Sequence, residues 1–271
     1  MTTDTASASA SQWTSPASRP AHIEELISGV DRYNPQNLAV LVEYLQQQLD
    51  SGAYDCLANL AILKLFQFNA GDFDYGVAIS VLLKALTAAP YPDFSLCLAL
   101  LGEAPVAVLP APAEVEEGAD PTPADATAPS TSTQPSAGHL ADPLIVRLAQ
   151  LSALLHGARF RAFWSTLASA EFEDVREAVA NVASFDDAVR SVALQSVKGA
   201  FRAISEERLG SYLNLSGKEL ASYIEQQAGW KLADGSVQVP ANPDNEVKAT
   251  VIREDLQLDQ LTKFLTQAQT A

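Results

Sequence analysis

Apolar positions along the chain recur mostly at helical spacing. Leu38, Leu41, Val42, Leu45 and Leu49 repeat at steps of one, three and four, which predicts an amphipathic helix. Asn34-Pro35 supplies its start, with Asn34 as cap and Pro35 in the first turn, and Gly52 supplies its stop. Leu57, Leu60, Ala61, Lys64, Leu65 and Phe68 predict a second helix that turns this face inward. A third runs from Val77 to Leu86, and a short fourth from Phe94 to Leu101. Further on, Pro143 opens a helix with Leu144, Leu148, Leu151 and Leu155 on one face. Ala158 to Leu167 carries Phe160, Phe163 and Trp164, an expected aromatic anchor, and Phe185 to Phe201 places Val189, Val192, Ala193, Val197 and Ala200 inward. Such helices joined by short Gly, Pro or Asp turns predict stacked helical pairs. No repeat signature of about 33–34 residues recurs, so the solenoid likeness is one of pattern.

The last third changes period. A short helix from Ile204 to Tyr212 is followed by a turn and a second helix from Gly217 to Gln227, for which Ser216 and Glu219 form an expected capping box. Then Trp230-Lys231-Leu232-Ala233 and Ser236-Val237-Gln238-Val239 flank Asp234-Gly235, a strong hairpin signal. Helix, turn, helix and hairpin is the order of a winged helix. Val247, Val251, Leu258, Leu261 and Leu265, widened by Ile252, Leu256 and Phe264, predict a closing amphipathic helix over 247–268. The expected fold is mainly α: a HEAT-like helical repeat domain over 21–200, a winged helix with a small β-hairpin over 201–240, and a C-terminal helix within 241–271.

Composition changes this picture in one place. Of 271 residues, 33 are acidic and 17 basic, for a net charge of −16. Half of the excess lies between residues 85 and 146, which hold eight acids and no Lys or Arg. Within that stretch, residues 103–142 contain seven prolines and ten alanines and lose apolar periodicity. Such a segment buries too little surface to offset its ordering entropy, so a disordered insertion is expected there. Residues 1–20, rich in Ser, Thr and Ala with Arg19 as their one base, are expected to form a disordered tail. Lacking an apolar core, they do not read as a secretory signal.

Candidate chemistry is sparse. Cys56 and Cys97 sit in apolar helical contexts and read as buried thiols. His22, His139 and His156 form no metal-ligand spacing, and no phosphate loop, nucleophile elbow or membrane-length apolar run exists. The reading is therefore no enzyme, no cofactor and no metal. Between Ser216 and Gln227 the candidate recognition helix offers one base, Lys218, against Glu219 and Glu225. A groove-reading helix displays several Arg, Lys, Asn or Gln, so independent DNA binding is not expected. RNA contact through Arg208, Lys218 and Lys231 is the alternative. The expected partner-binding residues are Val251, Leu258, Leu261, Phe264 and Leu265 on the terminal helix, with Val237 and Val239 on the hairpin.

Several strings resemble one family. They are Asp31-Arg32-Tyr33-Asn34-Pro35, the run from Tyr54 to Asn69, Leu82-Leu83-Lys84-Ala85-Leu86-Thr87 and Pro92-Asp93-Phe94-Ser95-Leu96-Cys97. Phe160-Arg161-Ala162-Phe163-Trp164, Phe185-Asp186-Asp187-Ala188-Val189-Arg190 and Gly229-Trp230 continue the match. Together they resemble the subunit K family of eukaryotic translation initiation factor 3, of PCI type and related to proteasome-lid and COP9-signalosome subunits. The chain departs from that family by its Pro/Ala-rich insertion and Ser/Thr-rich leader. The resemblance implies a cytoplasmic, non-catalytic scaffold bound to other initiation factor 3 subunits, chiefly subunit L and also the one designated E. It implies contact with the small ribosomal subunit through that complex, and no membrane association. A subunit of the proteasome lid or signalosome is the alternative within the same architecture.

Overall fold

A computed structural model describes residues 16–103, 139–233 and 235–246, together with Thr262 and Thr266. Short polar residues start three of its helices by accepting from backbone amides that have no partner within the helix. Asp55 accepts from the Ala58 amide at 3.2 Å and starts α3 (Cys56–Phe68), and Asp74 accepts from Val77 at 3.0 Å and starts α4 (Tyr75–Leu86). Asp142 accepts from both Leu144 and Ile145 and starts α6 (Pro143–His156), with Pro143 in its first turn. Before them lie α1 (Ala21–Ser28), which follows Pro20, and α2 (Leu38–Ser51). Asn34 caps as expected, but what it caps is a 3-10 turn, Pro35–Asn37, that leads into α2. Gly52, with φ of 73°, ends α2 in the left-handed conformation that favours glycine.

The helical series continues with α5 (Asp93–Glu103), α7 (Phe160–Leu167), α8 (Glu173–Val179) and α9 (Phe185–Ala200). Each packs on near neighbours in the chain: α2 on α3 and α4, α3 on α5, α4 on α5 and α6, and α6 on α7 and α8. Strand β1 (Ala203–Ser205), α10 (Glu206–Leu213), α11 (Gly217–Glu225), β2 (Lys231–Ala233) and β3 (Ser236–Gln238) follow. The three strands form an antiparallel sheet in the order β1-β3-β2. Ile204 and Leu232 both stand opposite Val237. One continuous apolar core runs from Ile23 in α1 to Val239 beyond β3.

The expected helices thus form, with four instructive differences. The face of α3 chosen by periodicity is buried only in part: Ala61 and Leu65 are interior, together with Ala58, Ile62, Leu63 and Phe66, while Leu57 and Phe68 are exposed. That helix is apolar almost all round, so periodicity could not select its inner side. Ser216 makes no side-chain cap bond, so the capping box is absent, and Ala200 is exposed at the end of α9 rather than inward. Residues 203–205 are strand rather than helix. Three residues carry no readable period, and β1 exists only because β3 pairs with it.

The fourth difference lies at the edges of the two expected disordered segments. Pro16 to Pro20 are ordered, and Arg19 is buried against Asp55. His139–Ala141 form a 3-10 turn in which the His139 ring stacks on Phe73 at 4.3 Å, and the Tyr75 hydroxyl donates to Asp142 at 2.9 Å. The remainder of both segments, residues 1–15 and 104–138, lies outside the described residues. So does the expected terminal helix, apart from Thr262 and Thr266, whose backbone is helical.

Candidate partner-binding surface

The C-terminal helix–sheet unit is built on a close approach. Leu209, Leu213, Leu220 and Ile224 of α10 and α11 bury their side chains with Ile204 and Val237 of the sheet. Gly210 sits where the two helices meet: a Cβ there would lie 2.7 Å from the Leu215 carbonyl oxygen and 3.2 Å from a Leu220 methyl. The Gly210 carbonyl itself accepts from the amides of Asn214 and Leu215. Replacing Gly210 by Ala is expected to force the turn away from α10 and to destabilise the chain by about 1–3 kcal/mol. Urea titration followed by circular dichroism measures this, and an unchanged midpoint would refute it.

The unit is locked to the helices before it through the last carbonyls of α10, which lack intrahelical partners. The Trp164 indole donates to the Tyr212 carbonyl at 2.9 Å, and Arg190 Nε donates to the Leu213 carbonyl at 3.1 Å. Arg190 also lies over the Trp164 ring and pairs with Asp187 at 2.8 Å. On the far side, Asn245 donates to the carbonyls of Pro240, Phe201 and Lys198, and Arg202 returns a bond to the Asn245 carbonyl. These bonds fasten residues 240–245 to the end of α9 and set where the chain departs toward residue 247.

No catalytic arrangement emerges among the described residues. Both cysteines are buried. Burial, then the adjacent Asp93 charge, pushes the Cys56 thiol up to about 12, and burial likewise pushes Cys97 upward. A nucleophilic cysteine needs the opposite shift. His22 is exposed, and His156 places its ring nitrogens against the Ser152 and Tyr91 carbonyls. Asp186 and Asp187 pair with Arg190. No group of three or more metal-ligating side chains forms, and no helix is long and apolar enough to cross a membrane, among the described residues.

Comparison with known proteins decides the family. A family model described as the CSN8/PSMD8/EIF3K family matches residues 74–251. A protein of Mycosarcoma maydis named eukaryotic translation initiation factor 3 subunit K is 62% identical over 97% of this chain and 96% of its own length. Proteins of the same name from Phaeosphaeria nodorum and Aspergillus clavatus are 36% and 37% identical, over 92% and 91% of this chain and 94% and 93% of their own lengths. The chain belongs to the subunit K family of eukaryotic translation initiation factor 3.

In this member of the subunit K family the expected surface residues divide three ways. Val237 and Val239 are core, at 0% and 7% exposure, and so present no side chain to a partner. Alternation sets Val237 and Val239 apart from Ser236 and Gln238, and the apolar side is the one that meets the core. Leu232 shares the face of Val237, its cross-strand neighbour, but is 42% exposed because β2 is the strand at one edge of the sheet. Arg208, Lys218 and Lys231 are all exposed, but on α10, α11 and β2 respectively. Glu206 and Glu207 precede Arg208 and Glu219 follows Lys218, so the three bases form no continuous cationic run. A groove between α10 and the start of α11 is lined by Glu206 and Glu207 and by no base, which disfavours a phosphate there. Val251, Leu258, Leu261, Phe264 and Leu265 lie outside the described residues.

Proposed function

We propose that this chain is a non-catalytic scaffold subunit of eukaryotic translation initiation factor 3. Its helical series serves as a HEAT-like domain, and β1–α10–α11–β2–β3 serves as a winged helix. The winged helix and the terminal segment bind other subunits, most directly subunit L and also the one designated E, and the assembly supports small ribosomal subunit recruitment in the cytoplasm. The observation that carries this reading is the match to subunit K proteins over nearly the full length of both chains. Three features agree with it. The sheet ends on the short edge strand β2, where Leu232 is exposed, a ready site for edge-to-edge pairing. The inert thiols give no competing chemistry. Residues 247–268 carry an apolar stripe that needs a packing partner.

Affinity purification with identification of the co-purifying subunits tests the assignment. The chain should bring down initiation factor 3 subunits, whereas proteasome-lid or signalosome subunits would overturn it. Introducing Leu258→Asp with Leu265→Asp should weaken subunit association by about a hundredfold or more, the effect of losing two buried anchors, while leaving a folded monomer. Undiminished association would refute the role of the terminal segment. A duplex-RNA reading through Arg208, Lys218 and Lys231 gains no support from a surface that interleaves those bases with acids.

A further inference from the structure

Helix α3 leaves one apolar stripe outside the core. Its interior residues face α2 and α5, while Leu57, Leu60, Lys64 and Phe68 run along its outer side, with Leu57 and Phe68 at 42% and 60% exposure. An exposed helix face is ordinarily polar, and here Lys64 is its one charge. The stripe spans about three helical turns, roughly 16 Å. Across from it stands Leu100 of α5, and the 3-10 turn Val30–Tyr33 closes one end, where Val30 is 82% exposed. The result is an open groove of about 230 Å³.

Two cations stand on its aromatic rim. The Arg32 guanidinium lies 4.8 Å from the Tyr33 ring centroid, and the Lys64 ammonium 5.1 Å from that of Phe68; the two rings meet edge to face at 6.1 Å. Neither Arg32 nor Lys64 makes an ion pair among the described residues. In a chain with almost twice as many acids as bases, this pairing of apolar groove and uncompensated positive charge runs against the general surface. Aromatic faces and cations with no carboxylate of their own together select an apolar ligand that bears negative charge.

We propose that this groove docks an acidic amphipathic helix of a partner protein, independently of the winged-helix surface. The partner's apolar residues, spaced at i, i+3 or i+4 and i+7, would fill the space between Leu57, Leu60, Tyr33 and Leu100 and extend onto the adjoining Phe68 ring, and its carboxylates would meet Arg32 and Lys64. A second copy of this chain is disfavoured by its own net charge of −16.

Selection from a displayed library of random peptides, about 16 residues long and so able to form four helical turns, tests this on the immobilised full chain. The enriched peptides should be net negative with apolar residues at that helical spacing. The most enriched sequence, synthesised with a fluorescent label, should bind about tenfold or more weakly to Phe68→Ser and to Lys64→Glu, judged by anisotropy. Both substitutions lie at the surface and should leave the melting temperature unchanged. Failure to enrich any peptide, enrichment of basic or neutral ones, or equal binding to the variants would overturn the proposal. So would binding seen only after residues 104–138 are deleted, which would assign the groove to the chain's own segment. A dimer in analytical ultracentrifugation that Phe68→Ser abolishes would assign it to a second copy and likewise overturn it.

Discussion

Replacing Asp55 with Ala is expected to destabilise the chain by about 3–5 kcal/mol, the usual consequence of leaving a buried ion without its counter-ion. Asp55 is fully buried and accepts four hydrogen bonds from three groups at once. Its carboxylate receives Arg19 Nε at 2.6 Å and Nη2 at 2.7 Å, the Tyr44 hydroxyl at 3.3 Å and the Ala58 amide at 3.2 Å. The Arg19 side chain is only 3% exposed. Truncation therefore removes the cap of α3 and takes from a buried guanidinium its buried, two-bond carboxylate partner. At roughly 2–4 °C per kcal/mol for a chain of this size, the melting temperature should fall by about 10 °C. Asp55→Asn, which keeps an acceptor for Ala58 but loses the charge, should fall between the two. The Pro16–Ser28 segment, pinned through Arg19, should also become accessible to protease well below the melting point. Calorimetry and limited proteolysis read both effects. A shift of less than about 2 °C would show that the pair contributes little beyond its own desolvation.

The second large effect is a dependence on pH. Lys84 lies in the middle of the core, 2% exposed, with its ammonium donating to the Gln48 carbonyl at 3.0 Å and making no ion pair among the described residues. That carbonyl belongs to the last turn of α2, where no helical amide remains to meet it. Burial disfavours the charged amine and pulls its pKa down to about 8 from 10.5. Below pH 8 the amine is protonated in folded and unfolded chains alike, and the folded state carries the whole desolvation penalty. Between pH 8 and 10.5 the unfolded chain binds the extra proton, so stability rises with pH through that window. Against Lys84→Met, which cannot titrate, the parent chain should gain about 3 kcal/mol between pH 7 and 10.5. Urea unfolding at matched pH values for the two proteins isolates this contribution, because all other titrating groups are shared. Parallel curves would mean that Lys84 ionises in the core as readily as in water.

Both effects arise in one buried polar network. Gln48 and Asn59 exchange side-chain amide bonds at 3.0 and 3.2 Å, and the Gln48 oxygen also accepts from the Asp55 amide at 2.9 Å. Asn59 stands in the sequence between apolar neighbours, Gln48 closes a run of three glutamines, and Asp55 could be read in advance as a helix cap. Its partner Arg19 could not be, because that residue lies 36 positions away in a segment whose composition resembles a tail. The Ala183 amide supplies another remote bond, meeting the Leu49 carbonyl at the same end of α2. Similarly, Tyr33 and Phe68 were legible as apolar residues but not as neighbours on a surface.

What the sequence determined by itself is local chemistry and family. Periodicity placed most helices, Pro143 placed the start of α6, and Asp234-Gly235 placed the hairpin, because helix starts and tight turns depend on a few consecutive residues. The strings from Tyr54 to Asn69 and from Phe185 to Arg190 pointed to the subunit K family, which the full-length relatives bear out. Only the tertiary structure decided which apolar residues are covered. It covered Val237 and left its cross-strand neighbour Leu232 exposed at the sheet edge, and on α3 it buried Ala61 and Leu65 while leaving Leu57 and Phe68 at the surface. The physical reasons differ: Val237 and Leu232 share one face and only the inner strand is covered, whereas a helix apolar nearly all round carries no internal record of direction. Burial is then chosen by the neighbours available, and those neighbours are brought together only by the fold.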